Sequence, residues 1–137
     1  MTELLYVTKR FSFSAAHRYW RDEWDAQENR RRFGGLAEIH GHTYALEVTV
    51  RGPVDAATGM VIDLAEMKAL VETEALARLD HRYLNEDPAF SSELPTTENL
   101  ARLIWRLLAP KLGEDRLWRV RLAEEPTFWV DYYGPGR

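Results

Sequence analysis

Two segments of the chain alternate between apolar and polar residues, and they constrain the fold more than any other feature. Residues 3–14 read ELLYVTKRFSFS, and residues 39–51 read IHGHTYALEVTVR. Successive side chains of a strand point to opposite faces, so each segment predicts a β-strand with one apolar face. Such faces have to be buried, and we therefore expect both strands in one sheet that other elements cover.

Two helices are predicted to provide that cover. Asp63 and Glu66 resemble a helix-capping pair, and apolar residues recur at helical spacing behind them, which predicts a helix over residues 64–78. A second helix is predicted in ENLARLIWRLLAPKL, with Thr96 or Thr97 as its cap.

Two strands are predicted at the end of the chain, over residues 117–124 and 127–133. Residues 18–36 are charged and lack a clean period, so they predict a long excursion between the first two strands. The resulting order, β-β-α-α-β-β, predicts an α+β fold: a four-stranded antiparallel sheet with two helices on one face. A length of 137 residues fits a single domain, 1–137.

Composition excludes several classes of protein. The net charge of −4 gives no basic bias, which disfavours nucleic acid as a partner. The chain has no cysteine, so disulfides and thiolate metal sites are excluded. No segment approaches the roughly 20 apolar residues of a membrane span, and we expect a soluble cytoplasmic protein with no membrane partner.

The four histidines point to a metal site. His40 and His42 flank one glycine in the second strand and therefore point to the same side, while His17 lies just past the end of the first strand. A hairpin-like pairing of the two strands would bring all three together, and three imidazoles with one open position is the arrangement of a catalytic zinc. The alternative is that they are surface or core histidines satisfied by hydrogen bonds.

Three acidic positions are further candidates, and two of them, Asp80 and Glu124, have two interpretations each. Asp80 precedes His81, so it either orients that imidazole as a proton relay or is a solvated residue at a helix end. Glu98 falls in the first turn of a predicted helix, where electrostatics alone explain a carboxylate. Glu124 ends an apolar row of a strand, so it either emerges into water or closes a pocket around a cationic or N–H-donating ligand.

Six segments in this order resemble the 6-pyruvoyl-tetrahydropterin synthase and 6-carboxytetrahydropterin synthase family: FSFSAAH, HGHTYALEVTV, DAATGMVIDLAEMK, LDHRYLN, TTEN and VRLAEE. They span nearly the whole chain, and all four histidines fall on family positions. The resemblance implies the tunnelling fold, in which subunits join their sheets into a barrel. It also implies a homo-oligomer, usually a hexamer of two trimers, with active sites between subunits.

The resemblance further implies a zinc-dependent lyase that acts on 7,8-dihydroneopterin triphosphate or a related pterin, in queuosine or pterin/folate biosynthesis. His17, His40 and His42 would hold Zn²⁺ against the side-chain hydroxyls of the substrate. The alternative is a non-catalytic pterin-binding paralogue that has lost the catalytic thiol.

The other family positions imply roles in proton transfer and substrate binding. Asp80 and His81 would relay protons from a neighbouring subunit. Glu124 would accept the amino and ring N–H groups of the pterin, and Thr97 and Glu98 would line the same pocket.

The chain departs from the family at the catalytic cysteine, because that position reads Leu36. A variant group of the family has a glutamate with two residues between it and HGH, and it cleaves the side chain to 6-hydroxymethyl-dihydropterin. Here only one residue, Ile39, lies between Glu38 and HGH. If a strand already runs from residue 36, Glu38 and His40 point the same way, and Glu38 can act as the base on the metal side. Alternatively, Glu38 is a solvated residue at the start of the strand.

Overall fold

A long antiparallel pair of strands forms the centre of the fold. The computed structural model describes residues 2–137. β1, Leu5–His17, pairs with β2, His40–Gly52, along its whole length, and the last residue of β1 lies opposite the first residue of β2. Both predicted strands are confirmed, and β1 continues past residue 14 to His17.

Within the described residues the sheet has five strands in the order β3-β1-β2-β4-β5. β4, Leu117–Glu125, and β5, Phe128–Tyr132, are the two predicted final strands. The prediction of a four-stranded antiparallel sheet is corrected, because β3, Arg82–Tyr83, pairs parallel to β1. Two residues give no alternation to detect, and the strand is held by a backbone hydrogen bond of 2.6 Å from His81 to Ser14 on β1.

The first predicted helix is a composite of three parts. α2, Leu64–Val71, continues through a π-helical turn, Glu72–Leu76, into α3, Ala77–Leu79. Asp63 caps α2 by accepting a hydrogen bond of 2.9 Å from the backbone N–H of Ala65. The capping residue and the extent of the helix therefore agree with the prediction.

The second predicted helix, α4, is Thr97–Leu112, and Thr96 is its cap through a 3.1 Å hydrogen bond from the Asn99 backbone N–H. Its apolar face packs with α2 onto one face of the sheet, which confirms the α+β fold. The core consists of buried side chains from these layers: Phe13, Leu46, Val48, Met67, Val71, Leu100, Ile104, Leu108, Val120 and Leu122. No helix among residues 2–137 is long and apolar enough to cross a membrane.

An unpredicted helix, α1, Ala26–Phe33, lies inside the charged excursion. Asp25 caps it by accepting a 2.8 Å hydrogen bond from the backbone of Glu28. The Glu28 carboxylate pairs in turn with Arg31 at 2.7 Å and with Arg32 at 2.8 Å. The helix carries no apolar stripe, so hydrophobic periodicity does not reveal it.

The sheet face away from α2 and α4 carries a row of alternating charge. Arg10, Glu47, Arg121 and Asp131 are register partners on four adjacent strands. Arg121 donates to Asp131 at 2.7 and 3.0 Å, and Glu47 accepts from Arg119 at 3.2 Å. This face is therefore suited to water rather than to a second apolar layer.

Candidate active site

The pairing of β1 with β2 brings three histidines together. His17 is the register partner of His40, and His42 follows on the same face of β2. The ring centroids of His17 and His40 are 4.6 Å apart, and each lies 5.1 Å from that of His42. One ring nitrogen from each residue lies within 4.8 Å of the others. We call these three side chains the imidazole cluster.

Backbone carbonyls orient two of the three rings. His17 Nδ1 donates to the carbonyl of Pro95 at 2.7 Å, and His40 Nδ1 donates to the carbonyl of Glu38 at 2.8 Å. A carbonyl only accepts, so each Nδ1 carries a proton, and in the neutral tautomer that this bond selects, Nε2 has a free lone pair. The buried Nε2 atoms of His17, His40 and His42 have no hydrogen-bond partner among residues 2–137. Two rings oriented in this way and a third, His42, whose Nε2 is also unpartnered, fit a zinc ion.

Burial favours the neutral form of His17, whose side chain is fully enclosed. Desolvation is the largest cause and lowers the pKa of His17 below its usual value of 6.5. The hydrogen bond to Pro95 opposes this shift, while the neighbouring His40 and His42 lower the pKa further. The ring therefore presents a lone pair to a cation near neutral pH.

A carboxylate lies beside the imidazole cluster. Glu124, near the end of β4, is 15% exposed, and its Oε2 lies 3.8 Å from Nε2 of His42. The same oxygen accepts a 2.6 Å hydrogen bond from the hydroxyl of Thr97, a buried residue at the start of α4. Glu124 and Thr97 thus lie beside the cluster, and Glu124 does not emerge into water. Their roles in substrate binding stay predictions.

Tyr44 is a neighbour of the cluster that the sequence analysis assigns only to an apolar face. Its side chain is fully buried, and its ring stacks on Phe13 with a centroid distance of 4.9 Å. The ring centroid lies 5.6 Å from that of His42. Burial raises the pKa of Tyr44, and the charge of Glu124 raises it further. The sequence does contain a signal for this proximity, because Tyr44 lies two residues beyond His42 on the same strand and so on the same face.

Tyr19 borders the pocket from the segment after β1, and the sequence analysis does not identify it. Its ring packs edge-on against His17 with a centroid distance of 5.3 Å. Burial, followed by the charges of Glu124 and Glu98, raises the pKa of Tyr19 to about 12. Glu98 is exposed in the first turn of α4, directly after Thr97, and its role in lining the pocket stays a prediction.

Asp80 and His81 lie outside the imidazole cluster. Asp80 is fixed to β1, because its Oδ1 accepts a 2.9 Å hydrogen bond from the backbone N–H of Ser14. His81 has a φ of +60°, which is uncommon for a residue other than glycine, and its side chain is 83% exposed. The 3.7 Å between His81 Nε2 and Asp80 Oδ2 is longer than a hydrogen bond. The His81 imidazole is therefore exposed to solvent on a strained backbone.

Glu38 precedes β2 and does not belong to it. A 3₁₀ turn, Gly34–Ala37, comes before Glu38, and β2 starts only at His40. The described chain therefore has no strand from residue 36 that would align the side chains of Glu38 and His40. The Glu38 carboxylate accepts from Arg30 at 3.1 Å and is 65% exposed. Leu36, in the same turn, is 44% exposed. This geometry is that of the solvated alternative, while the role of Glu38 as a base remains a prediction.

The fold and the site together define a class: an α+β protein that gathers three imidazoles and a carboxylate at the end of an antiparallel strand pair. Residues 6–135 match the 6-pyruvoyl tetrahydropterin synthase family, and the chain belongs to it. The solved structure of 6-pyruvoyl tetrahydropterin synthase from Caenorhabditis elegans superposes with a TM-score of 0.90 at 33% identity, covering 97% of each chain. The expected tunnelling fold of the subunit is thereby confirmed.

Two relatives with different names are similar over most of the chain. The 6-pyruvoyl tetrahydrobiopterin synthase of Drosophila melanogaster is 40% identical over 134 residues, which cover 95% of this chain and 80% of the relative. The dihydroneopterin monophosphate aldolase of Pyrococcus furiosus is 36% identical over 126 residues, covering 91% of this chain and 94% of the relative. The chain is therefore similar over most of its length both to a protein named as a synthase and to one named as an aldolase.

Proposed function

We propose that the protein is a zinc-dependent lyase that acts on the side chain of 7,8-dihydroneopterin triphosphate or a related pterin. The observation that carries the proposal is the convergence of three unpartnered Nε2 atoms beside the Thr97–Glu124 pair. This pocket offers ligands for a cation and, a few ångströms away, a carboxylate that accepts N–H groups. Membership of the 6-pyruvoyl tetrahydropterin synthase family supports the same assignment.

His17, His40 and His42 would hold the zinc ion through Nε2. Zinc, when bound, would supply Lewis acidity that lowers the pKa of substrate hydroxyls. Metal analysis by mass spectrometry tests the site: the wild type should contain about one zinc per chain, and His42→Ala should lose it while keeping its fold. His81→Ala is the matched control and should keep the metal. Failure of the wild type to take up zinc on reconstitution would reject the site.

Glu124 would orient the pterin by accepting its amino and ring N–H groups. Its hydrogen bond from Thr97 holds the carboxylate in one position, and its low exposure strengthens each charge-assisted bond. Glu98 would line the entrance of this pocket. The recognised group is therefore an edge with adjacent N–H donors, as a pterin ring has.

The reaction we favour is cleavage of a side-chain carbon–carbon bond. A base removes the proton of a side-chain hydroxyl, the adjacent carbon–carbon bond breaks to leave an aldehyde, and the ring-side carbon takes up a proton. Absence of any thiol and the similarity to an aldolase both support this reaction over the pyruvoyl-forming one. Glu38 and the Asp80–His81 pair are the candidate bases, the latter acting in the site of a neighbouring subunit.

A homo-hexamer of two trimers is part of the proposal. Beyond its contact with β3, the outer edge of β1 has no strand partner among the described residues, and β5 ends the sheet. Apolar side chains are exposed near both edges, including Leu5 at 43% and Trp129 at 47%. Joining β1 of one copy to β5 of the next would cover these edges and leave the charged sheet face inside a barrel. A 16 kDa particle in light scattering would reject the oligomer.

Incubation of the zinc-loaded protein with 7,8-dihydroneopterin triphosphate, followed by chromatographic separation of the products, tests the function. A 6-hydroxymethyl product indicates side-chain cleavage and pterin/folate biosynthesis, whereas a pyruvoyl or carboxy product indicates the standard chemistry of the family. The second candidate function is a non-catalytic pterin-binding protein, which the missing thiol favours. Tight binding of a pterin without any product would establish that alternative.

A further inference from the structure

The hydroxyl of Tyr44 is buried without a hydrogen-bond partner within residues 2–137. Its side chain has no solvent exposure, so bulk water does not satisfy it. An unsatisfied buried hydroxyl costs roughly 1–3 kcal/mol. A tyrosine at such a position has a partner that the chain itself does not provide, since phenylalanine would fill the same space without this cost.

Tyr44 lies at the boundary between the pocket and the core. On the same face of β2, His40 and His42 precede it, while the buried Leu46 and Val48 follow it. Stacking on Phe13, at an interplanar angle of 11°, fixes the orientation of its ring. The hydroxyl therefore belongs to a rigid ring beside the imidazole cluster.

A carboxylate on the other side of His42 gives the chemistry of the missing partner. Glu124 Oε2 lies 3.8 Å from His42 Nε2, and the ring centroid of Tyr44 lies 5.6 Å from that of His42. Glu124 and Tyr44 make no hydrogen bond with each other, and one oxygen of Glu124 already accepts from Thr97. A ligand whose N–H groups bind Glu124 would present its neighbouring ring atoms to Tyr44. Next to its N–H groups, a pterin carries a carbonyl oxygen and ring nitrogens, which are acceptors.

We propose that the Tyr44 hydroxyl donates a hydrogen bond to a carbonyl or ring-nitrogen acceptor of the pterin that Glu124 holds. Tyr44 is then a specificity-determining residue: Glu124 selects donors, and Tyr44 selects an acceptor beside them. This inference rests on the proposed function, since it requires a pterin in the pocket.

The test compares Tyr44→Phe with the wild type, both loaded with zinc, using neopterin as the probe in calorimetric titrations. Removal of one hydroxyl should weaken neopterin binding about tenfold. The zinc content should not change, and the free energy of unfolding without ligand should stay equal or rise, because the unsatisfied group is gone. Tyr6→Phe, a 49% exposed position at the other end of the sheet, is the matched control and should bind like the wild type.

The possible results separate this inference from the proposed function. Neopterin binding by Tyr44→Phe at wild-type affinity would overturn the role of Tyr44 alone. A wild type that binds no neopterin would overturn both the inference and the pterin pocket. Weaker binding accompanied by lost zinc and lower stability would assign Tyr44 a structural role and would also overturn the inference.

Discussion

Thr97 donates its hydroxyl to the carboxylate of Glu124 across 2.6 Å, which joins the first turn of α4 to the end of β4. Replacement of Thr97 by valine keeps the shape of the side chain and removes the donor. We expect the free carboxylate to lose its fixed position, so neopterin binding should weaken about tenfold. The free energy of unfolding should fall by about 1–2 kcal/mol, because a buried acceptor loses its partner. Calorimetric titration and urea denaturation measure the two effects.

Thr127→Val is the matched control for this prediction. Thr127 donates to Glu125 at 2.7 Å, but both residues are exposed where β4 ends and the turn to β5 begins. Water replaces that hydrogen bond, so neither binding nor stability should change. Equal effects of the two substitutions would show that the Thr97–Glu124 contact has no special role.

The imidazole cluster is the part of the site that the sequence predicts well. Alternation over residues 3–14 and 39–51 predicts two pairing strands, and the pairing brings His17 opposite His40. The position of Glu38 is not predictable in the same way, because it depends on a 3₁₀ turn without a periodic signal.

The elements that sequence reasoning missed are stabilised by polar contacts. Helix α1 depends on the Asp25 cap and on the pairs of Glu28. The two-residue strand β3 depends on its short ladder with β1 and on the backbone hydrogen bond from His81 to Ser14. Tyr44 is a different case: its burial follows from the alternation, whereas its lack of a partner depends on three-dimensional packing.

Asp87→Asn should destabilise the protein by about 1 kcal/mol at pH 7. Arg78 donates to both oxygens of Asp87, at 2.9 and 2.7 Å, and this pairing holds the pKa of Asp87 below its usual 3.8. A carboxylate with a lowered folded-state pKa stabilises the fold above pH 3.8, and this contribution is lost as the pH falls through the folded-state pKa. Urea denaturation at a series of pH values should therefore show the wild type and the variant converging below pH 3.8.

The asparagine side chain can still accept the 2.9 Å hydrogen bond from the Ala89 backbone, so the substitution mainly removes the charge. A stability difference that stays constant down to pH 2 would contradict the role assigned to the Arg78–Asp87 pair.

Gly134→Ala should destabilise the fold by about 2–4 kcal/mol. Gly134 has a φ of +89°, and an added Cβ would lie 2.4 Å from Cζ2 of Trp105, a rigid buried ring on α4. Gly136 has a similar φ of +83° with open space around it, so Gly136→Ala carries only the conformational cost, about 1 kcal/mol. The difference between the two variants in urea denaturation measures the clash. Equal losses would contradict close packing of the C-terminal segment on Trp105.

Two variants separate the candidate bases. His81→Ala should lower kcat for side-chain cleavage by 10²–10⁴-fold, on the order of a lost general base, while neopterin affinity is kept. Glu38→Gln should have a much smaller effect, because the Glu38 carboxylate is exposed and paired with Arg30. Its backbone carbonyl, which orients His40, is unchanged, so zinc content stays constant and the comparison is clean. The opposite ranking of the two variants would assign the base to Glu38.

Leu36→Cys tests whether the missing thiol determines the product. Leu36 occupies the position at which the family resemblance places the catalytic cysteine, and it is 44% exposed in the turn before β2. A thiol there can lose its proton near neutral pH, especially beside a bound cation, whereas a serine hydroxyl cannot. We therefore expect Leu36→Cys, and not Leu36→Ser, to increase the pyruvoyl-forming reaction, with the products separated by chromatography. Equal product ratios in the two variants would show that pocket geometry, and not the absent thiol, selects the reaction.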